Sequence, residues 1–340
     1  MNTAPLADLG WSRHFQAQIT DTTDIPARIA AVHRNGVDAL TADGPRRLSV
    51  PPGVPPLAVG DWVLTADDRV TGCLDRLSVL NRRAAGTDAR DQLIAANVTT
   101  LGIVSSCNAD FNVARLERYL VLAADAGCLP LVILTKADTA DDPRSYQRQA
   151  ERLSPLLTAI TLDATDVEDV ARLAPWCRTG ETLALVGSSG VGKTTLRNAL
   201  TGQTAATQAI REDDAKGRHT TTARELVPTV HGGWLIDTPG MRALRLTDVA
   251  DGIAAVFEDI EDLAANCRFS DCAHDREPGC AVQASIADGT LHPDRLIRWR
   301  KLLAEDMRNS ESIAEARARD RGFGKMVKEA MSYKRRDRDG

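Results

Sequence analysis

Gly187-Ser188-Ser189-Gly190-Val191-Gly192-Lys193-Thr194 fits the pattern G-x-x-x-x-G-K-[ST], the loop that wraps a polyphosphate. Glycines are required because the backbone must curl until several N–H groups point at one anion, and a Cβ would block the curl. The flanks agree with this reading. Leu183–Val186 is an apolar run read as a buried strand, and Leu196–Leu200 opens a helix whose N-terminus favours anions. In that frame Lys193 reaches the β and γ phosphates and counts among the catalytic groups. Thr194 offers its hydroxyl to Mg²⁺, and Ser188, Ser189, Gly190, Val191, Gly192 and Thr195 line the nucleotide.

Downstream, the apolar strand Trp234-Leu235-Ile236 ends in Asp237-Thr238-Pro239-Gly240. An Asp at a strand tip beside the phosphate loop holds Mg²⁺, and the Gly240 N–H would meet the γ-phosphate. Between the two lies Lys216-Gly217-Arg218-His219-Thr220-Thr221-Thr222. A Thr-rich loop there is a first switch, supplying one hydroxyl to Mg²⁺. Thr221 is taken as that ligand, with Thr220 and Thr222 as alternatives.

Upstream, strand and helix alternate from Leu93 onward. Val98–Val104, Leu129–Leu134 and Ala159–Leu162 read as strands, Val113–Ala126 and Ser145–Leu157 as helices. This is the signature of an α/β fold with a parallel sheet covered on both faces. Thr135-Lys136-Ala137-Asp138 follows one of these strands and resembles the Asn-Lys-x-Asp motif of GTPases, with Thr in place of Asn. The Asp138 carboxylate matches the N1–H and N2–H₂ donors of guanine, a pair adenine lacks. Asp163-Ala164 falls where a second base-contacting loop belongs. Asp138 stands 49 residues before Gly187, whereas ordinary GTPases place the phosphate loop first. Neighbouring termini can be joined and new ones opened without disturbing such a layer. The order is therefore read as a circular permutation.

Beyond about Leu246 strands give way to helices around Cys267-x4-Cys272-x-His274-x5-Cys280. Three thiols and an imidazole favour Zn²⁺ in a closed, structural site. Asp294–Met307 reads as an amphipathic helix, and Arg321–Gly340 holds seven Lys/Arg against three Asp/Glu. Such a basic tail is either a solvated end or a phosphate-backbone contact with RNA.

At the other end, Ile25–His33, Val37–Thr41, Arg46–Val50, Trp62–Thr65 and Gly72–Leu80 read as five short strands. They suggest a small barrel, of which an oligonucleotide-binding (OB) type is one candidate. The resulting division is an N-terminal extension (1–24), barrel (25–85), permuted core (92–245), zinc-binding domain (246–295), and C-terminal helix with basic tail (296–340).

A net charge of −5 argues against a uniformly basic nucleic-acid coat. No apolar run approaches the roughly 20 residues of a membrane helix. The first residues lack the layout of a secretory signal, so a cytoplasmic, membrane-free protein is expected; a monomer is expected as well, on no feature of the sequence. Four cysteines outside the cluster (Cys73, Cys107, Cys128, Cys177) fit there as small buried hydrophobes.

Taken together, the barrel, Gln92–Asn97 (QLIAAN), TKAD, GSSGVGKT, GRHTTT, DTPG and the Cys/His cluster resemble the small ribosomal subunit biogenesis GTPase family, the RsgA/YjeQ-type circularly permuted GTPases. The resemblance covers nearly the whole chain after the first twenty-odd residues. It implies an OB-type barrel, a permuted GTPase core, a zinc domain, and a role in late maturation of the 30S subunit and contact with its rRNA. It also places His219 where the family's catalytic group is suspected. Met241 stands where many GTPases carry a water-orienting Gln, so turnover is expected to depend on the subunit. Two rivals are a phosphate-loop ATPase or kinase, and an RNA-binding scaffold that senses GTP and scarcely hydrolyses it.

Overall fold

Five short strands, Ile25–His33 (β1), Gly36–Thr41 (β2), Gly44–Leu48 (β3), Trp62–Ala66 (β4) and Arg69–Cys73 (β5), each bury at least one apolar side chain. The structure, a computed structural model, describes residues 4–20, 23–83, 91–203, 224–237, 246 and 248–310. Its first sheet has the order β3-β2-β1-β4-β5 and is antiparallel throughout. Ala27, Ile29, Val37, Ala39, Leu48, Val63 and Val70 form its core, each 1% exposed or less. A parallel bridge between Ser49 and Arg69 brings the outer edges together, with Val70 N–H donating to Ser49 O at 3.0 Å. The sheet thus closes into a five-stranded barrel of the OB type.

Gly72–Leu80 is not one strand. Asp67 and Asp68 both adopt positive φ (48° and 56°), making a tight hairpin turn that starts β5 early. β5 then ends at Cys73, and Val79–Arg83 (β6) pairs separately with Asp91–Ala96 (β7). The N-terminal segment is also more than a polar extension. Its helices Ala4–Asp8 (α1) and Arg13–Gln16 (α2) flank a stretch that lays Leu6, Leu9 and Phe15 against Trp62 and Leu74. Arg28, 1% exposed, donates to Leu9 O, to Thr182 Oγ1 (2.8 Å) and to Asn97 O (3.3 Å). One buried guanidinium therefore ties the N-terminal segment, the barrel and the sheet that follows.

That sheet contains Thr100–Ser106 (β8), Leu129–Thr135 (β9), Thr158–Thr161 (β10), Thr182–Gly187 (β11), Leu226–Pro228 (β12) and Trp234–Asp237 (β13). Its order is β10-β9-β8-β11-β13-β12, parallel except for β12 against β13. Every residue of β8 and β11 is buried, as strands covered on both faces require. The helix Val113–Asp125 (α3) is capped by Asn112, whose side chain accepts from Arg115 N. Pro143–Glu151 (α4) has Asp142 as N-cap and proline in its first turn. It ends short of the expected Leu157 because Pro155 biases Ser154 away from helix; Leu156 is left 94% exposed. Val167–Ala171 (α5) and Lys193–Thr201 (α6) complete this unit.

The chain divides into two compact units. The first comprises the described residues through Arg82 and from Leu93 to Asp237; the second takes in the chain from Leu246 onward together with the short segments at Arg83 and Asp91–Gln92. The second unit carries Ala250–Val256 (α7), Glu258–Ala265 (α8), Ala281–Ala287 (α9) and a helix from 293 through 310 (α10). Phe257, Ile260 and Val282 are fully buried in it. Arg295 on α10 grips Asp259 with two bonds (2.6 and 2.8 Å) and lies over the Phe257 ring. Among the described residues no helix is long and apolar enough to cross a membrane.

Candidate functional site

Parallel strands deliver their carboxyl ends to one edge of a sheet, and loops at that edge bind ligands. Here β9, β11 and β13 end at Thr135, Gly187 and Asp237 respectively. Their register makes these ends neighbours: β8 lies between β9 and β11, pairing Ser106 with Thr135 and Val104 with Gly187, while Leu185 pairs with Asp237. Motifs separated along the chain thus share one rim.

The phosphate loop leaves β11 through Gly187, whose φ is +143°. A Cβ there would stand 2.1 Å from Val104 O, so only glycine allows β11 to turn under β8. Gly192, at φ +90°, is the N-cap of α6. Val191 is 1% exposed and packs with Leu196 and Leu200, anchoring the loop to the core. Thr194 is exposed in the first turn of α6, and Thr195 is half-buried. Lys193 Nζ donates to Gly187 O at 2.8 Å and to Ser188 O, so the ammonium is held across the mouth of the loop.

Thr135 explains what stands in for the usual Asn. Fully buried at the end of β9, its hydroxyl reaches Val191 O at 2.6 Å and Ser105 O at 3.1 Å. The base motif is therefore stitched directly to the phosphate loop. Lys136 follows in the left-handed region (φ +58°), a conformation costing a non-glycine residue roughly 1–3 kcal/mol and concentrated at functional sites. It turns the chain so that Ala137–Thr139 forms a short 3₁₀ turn with Asp138 exposed. Ala137 N–H donates to Leu162 O at 3.3 Å, joining this turn to Asp163 and Ala164. Cys107, expected only as a small buried hydrophobe, is a near neighbour of this turn. Burial, and then the Asp138 carboxylate, push its thiol up to about 11.

In the second unit the ligand atoms of Cys267, Cys272, His274 and Cys280 all lie within 4.8 Å of one another. His274 Nδ1 stands 3.5 Å from Cys267 Sγ and 3.6 Å from Cys280 Sγ. Burial, then the Arg300 charge, lower the His274 pKa, favouring the neutral imidazole that binds metals. The four residues can hold a metal ion. Glu277, absent from the sequence reading, organises the loop: its carboxylate accepts from the N–H groups of Ala273 (3.0 Å), Asp275 (2.8 Å) and Arg276 (3.1 Å). Backbone N–H groups, its own first, hold that carboxyl down at about 2. Gln283 adds a second brace, donating its side-chain amide to His274 O and its backbone N–H to Cys280 Sγ at 3.4 Å.

Residues 73–247 match the model of the RsgA GTPase family. A Small ribosomal subunit biogenesis GTPase RsgA 2 of Vibrio parahaemolyticus is 48% identical over 98% of this chain and 94% of its own. The Small ribosomal subunit biogenesis GTPase RsgA of Mesorhizobium japonicum is 52% identical over 90% of this chain and 91% of its own. The chain belongs to the RsgA GTPase family. Solved structures share the fold at lower identity. YjeQ from Thermotoga maritima superposes with a TM-score of 0.62 at 22% identity, covering 83% of this chain and 98% of that one. YloQ, described as a circularly permuted GTPase, gives 0.61 at 22% identity, covering 83% and 94%.

Within the family frame, His219, Thr221 and Gly240 lie outside the described residues, as do Thr220, Thr222 and Met241. The other expected site residues fall into two groups, the nucleotide rim and the Cys/His cluster. Cys107, Cys128 and Cys177 are buried as expected, while Cys73 is half-buried. What escaped the sequence reading were second-layer groups such as Glu277 and Gln283. The Asp and Glu spacings within the metal loop are too ordinary to single one out.

Proposed function

We propose that this chain hydrolyses GTP to GDP and phosphate in late maturation of the small (30S) ribosomal subunit, with turnover stimulated by the subunit. The observation that carries the reading is the Thr135–Val191 bond, which sets the base motif against the phosphate loop although the chain visits them in permuted order. The names of the relatives supply the ribosomal partner. In this reading Asp138 takes the guanine N1–H and N2–H₂ donors, and Ala137, Lys136, Asp163 and Ala164 frame the ring. Gly187 to Thr195 take the phosphates, with Lys193 on the β and γ groups.

Thr194 and Asp237, with Thr221 from the first switch, would hold Mg²⁺, which neutralises charge developing on the β and γ oxygens. Thr194 suits that role because it is exposed at the N-terminus of α6. Gly240 would sense the γ-phosphate, and His219 would orient or deprotonate the attacking water in place of the missing Gln. Zn²⁺ is the metal we assign to Cys267, Cys272, His274 and Cys280, since three thiolates and an imidazole close a tetrahedral structural site. The domain limits 1–24, 25–85, 92–245, 246–295 and 296–340, a monomeric state, a cytoplasmic location and rRNA contact belong to the same proposal.

Turnover measured with and without purified small subunits tests it, using wild type, Asp138→Asn and His219→Ala. We expect stimulation by subunits, exchange of GTP for xanthosine triphosphate preference in Asp138→Asn, and loss of stimulation in His219→Ala. Binding without stimulated turnover would favour the scaffold reading. An unaltered preference in Asp138→Asn would favour an ATPase or kinase.

A further inference from the structure

The barrel reaches the Asp237 end of the nucleotide rim through its strand β1. β4 pairs with β1 only over Ile25–Arg28. Past that point Ile29 N–H donates to Asp61 O and Gly60 N–H to Ile29 O, both at 2.8 Å. The register of β1 on β2 then skips Ala30, a bulge of the kind that bends a strand and re-aims the residues beyond it. On the edge away from β2 the next residue, Ala31, bridges antiparallel to Glu225. Glu225 directly precedes β12, so the barrel and the core sheet meet edge to edge there.

β12 is a weak strand to stand at that joint. It is three residues long and ends in Pro228, which has no N–H to give a ladder. Leu226 pairs with Ile236 on β13, so the next residues on the two strands, Glu225 and Asp237, stand at one level. The barrel also comes close to β13 itself: a Cβ on Gly60 would stand 3.3 Å from Ile236 Cδ1. Arg224 pins the same end of β12, its Nη1 donating to Leu93 O at 3.2 Å. A short strand with few bonds of its own is thus braced from outside at the residue level with Asp237.

We infer that β1 of the barrel is a positioning element for the magnesium side of the site, acting through Ala31 and Glu225 on the strand tip that carries Asp237. This rests on the reading of Asp237 as a magnesium ligand given above. Mg²⁺ demands near-ideal octahedral geometry, so it tolerates little displacement of a group that holds it. Nucleotide binding without the metal leans instead on the phosphate loop and the base motif, carried by β11 and β9. Loosening the joint should therefore raise the magnesium requirement and leave metal-free binding alone.

The test is a double-mutant cycle on the full chain, read by binding of a fluorescent, non-hydrolysable GTP analogue during Mg²⁺ titration and, separately, in EDTA. Ala31 and Glu225 lie directly opposite, where unlike charges attract and like charges repel. Ala31→Lys against the native Glu225 holds the joint closed, and Ala31→Lys with Glu225→Lys opens it. Glu225→Lys alone measures the direct effect of that charge on the ion, and Ala31→Lys alone the effect on Asp38 across β2. Beyond the two single changes combined, the double variant should need about threefold more Mg²⁺, or greater, for half-maximal tightening of the analogue. Its affinity in EDTA should stay within about twofold of the parent. Additive behaviour, or a matching loss in EDTA as a merely structural role would give, overturns the inference. Should Ala31→Lys prevent folding, Arg224→Ala releases the pin on Leu93 O and should raise the magnesium requirement by about threefold. Loss of a positive charge beside the ion would by itself lower that requirement, so an unchanged or lowered value is equally decisive against the inference. Asp237→Asn separates the two levels. If it leaves the requirement unchanged, Asp237 is no ligand and the reading and the inference fall together. If it raises the requirement while the cycle is additive, only the role of the barrel falls.

Discussion

Replacing Thr135 by valine removes one hydroxyl and almost no volume, which isolates a single bond. The hydroxyl carries one proton and has two acceptors, Val191 O at 2.6 Å and Ser105 O at 3.1 Å. The proton goes to the nearer, so Thr135→Val strands the loop carbonyl of Val191 in a fully buried setting. An acceptor left without its donor costs about 1–3 kcal/mol. Taking ~2 kcal/mol, and ~2–4 °C for each kcal/mol in a protein of this class, the melting temperature should fall by about 4–8 °C. The carbonyl belongs to the phosphate loop, so part of the loss, ~1 kcal/mol, should reappear as about fivefold weaker GDP binding. Thermal unfolding and GDP titration of parent and variant read the two quantities separately. A melting temperature within about 1 °C of the parent, together with unchanged GDP affinity, would falsify the idea that this bond couples the two motifs.

Arg28→Ala leaves Leu9 O, Thr182 Oγ1 and Asn97 O without their donor. Relief of a guanidinium whose pKa burial lowers to about 9 offsets part of that loss, giving ~2–3 kcal/mol of destabilisation by urea unfolding. Burial pushes the Cys107 and Cys128 thiols up to about 11 and Cys177 to about 12. At pH 8 a thiol reagent should therefore spare these three, and chelation of the metal should open three further thiols, Cys267, Cys272 and Cys280, to the reagent. Glu277→Ala removes the acceptor shared by three backbone N–H groups of the metal loop. Metal transfer to a competing chelator should then be favoured by about tenfold or more, with GDP binding unaltered.

The phosphate loop and the Cys/His cluster were legible because each is a short run in which residue type and spacing carry the chemistry. Strand and helix types were legible for a similar reason, since burial on one or both faces writes a period into the sequence. Boundaries were less so. The Asp67-Asp68 hairpin moved β5, and Pro155 closed α4 early, both local backbone effects that hydrophobic pattern does not report. The packing of Leu6, Leu9 and Phe15 on Trp62 was hidden by the polar residues between them.

By itself, then, the sequence determined the GTPase family and singled out the four residues that can hold a metal ion, because both are written in side-chain chemistry and near-neighbour spacing. Tertiary structure alone decided that Thr135 reaches Val191, that Arg28 binds three segments, and that Asp169 accepts from the Asp163 N–H. Such contacts are set by the register of parallel strands and by where helices return the chain. A hydrogen bond between residues 56 positions apart leaves no periodic trace in either segment.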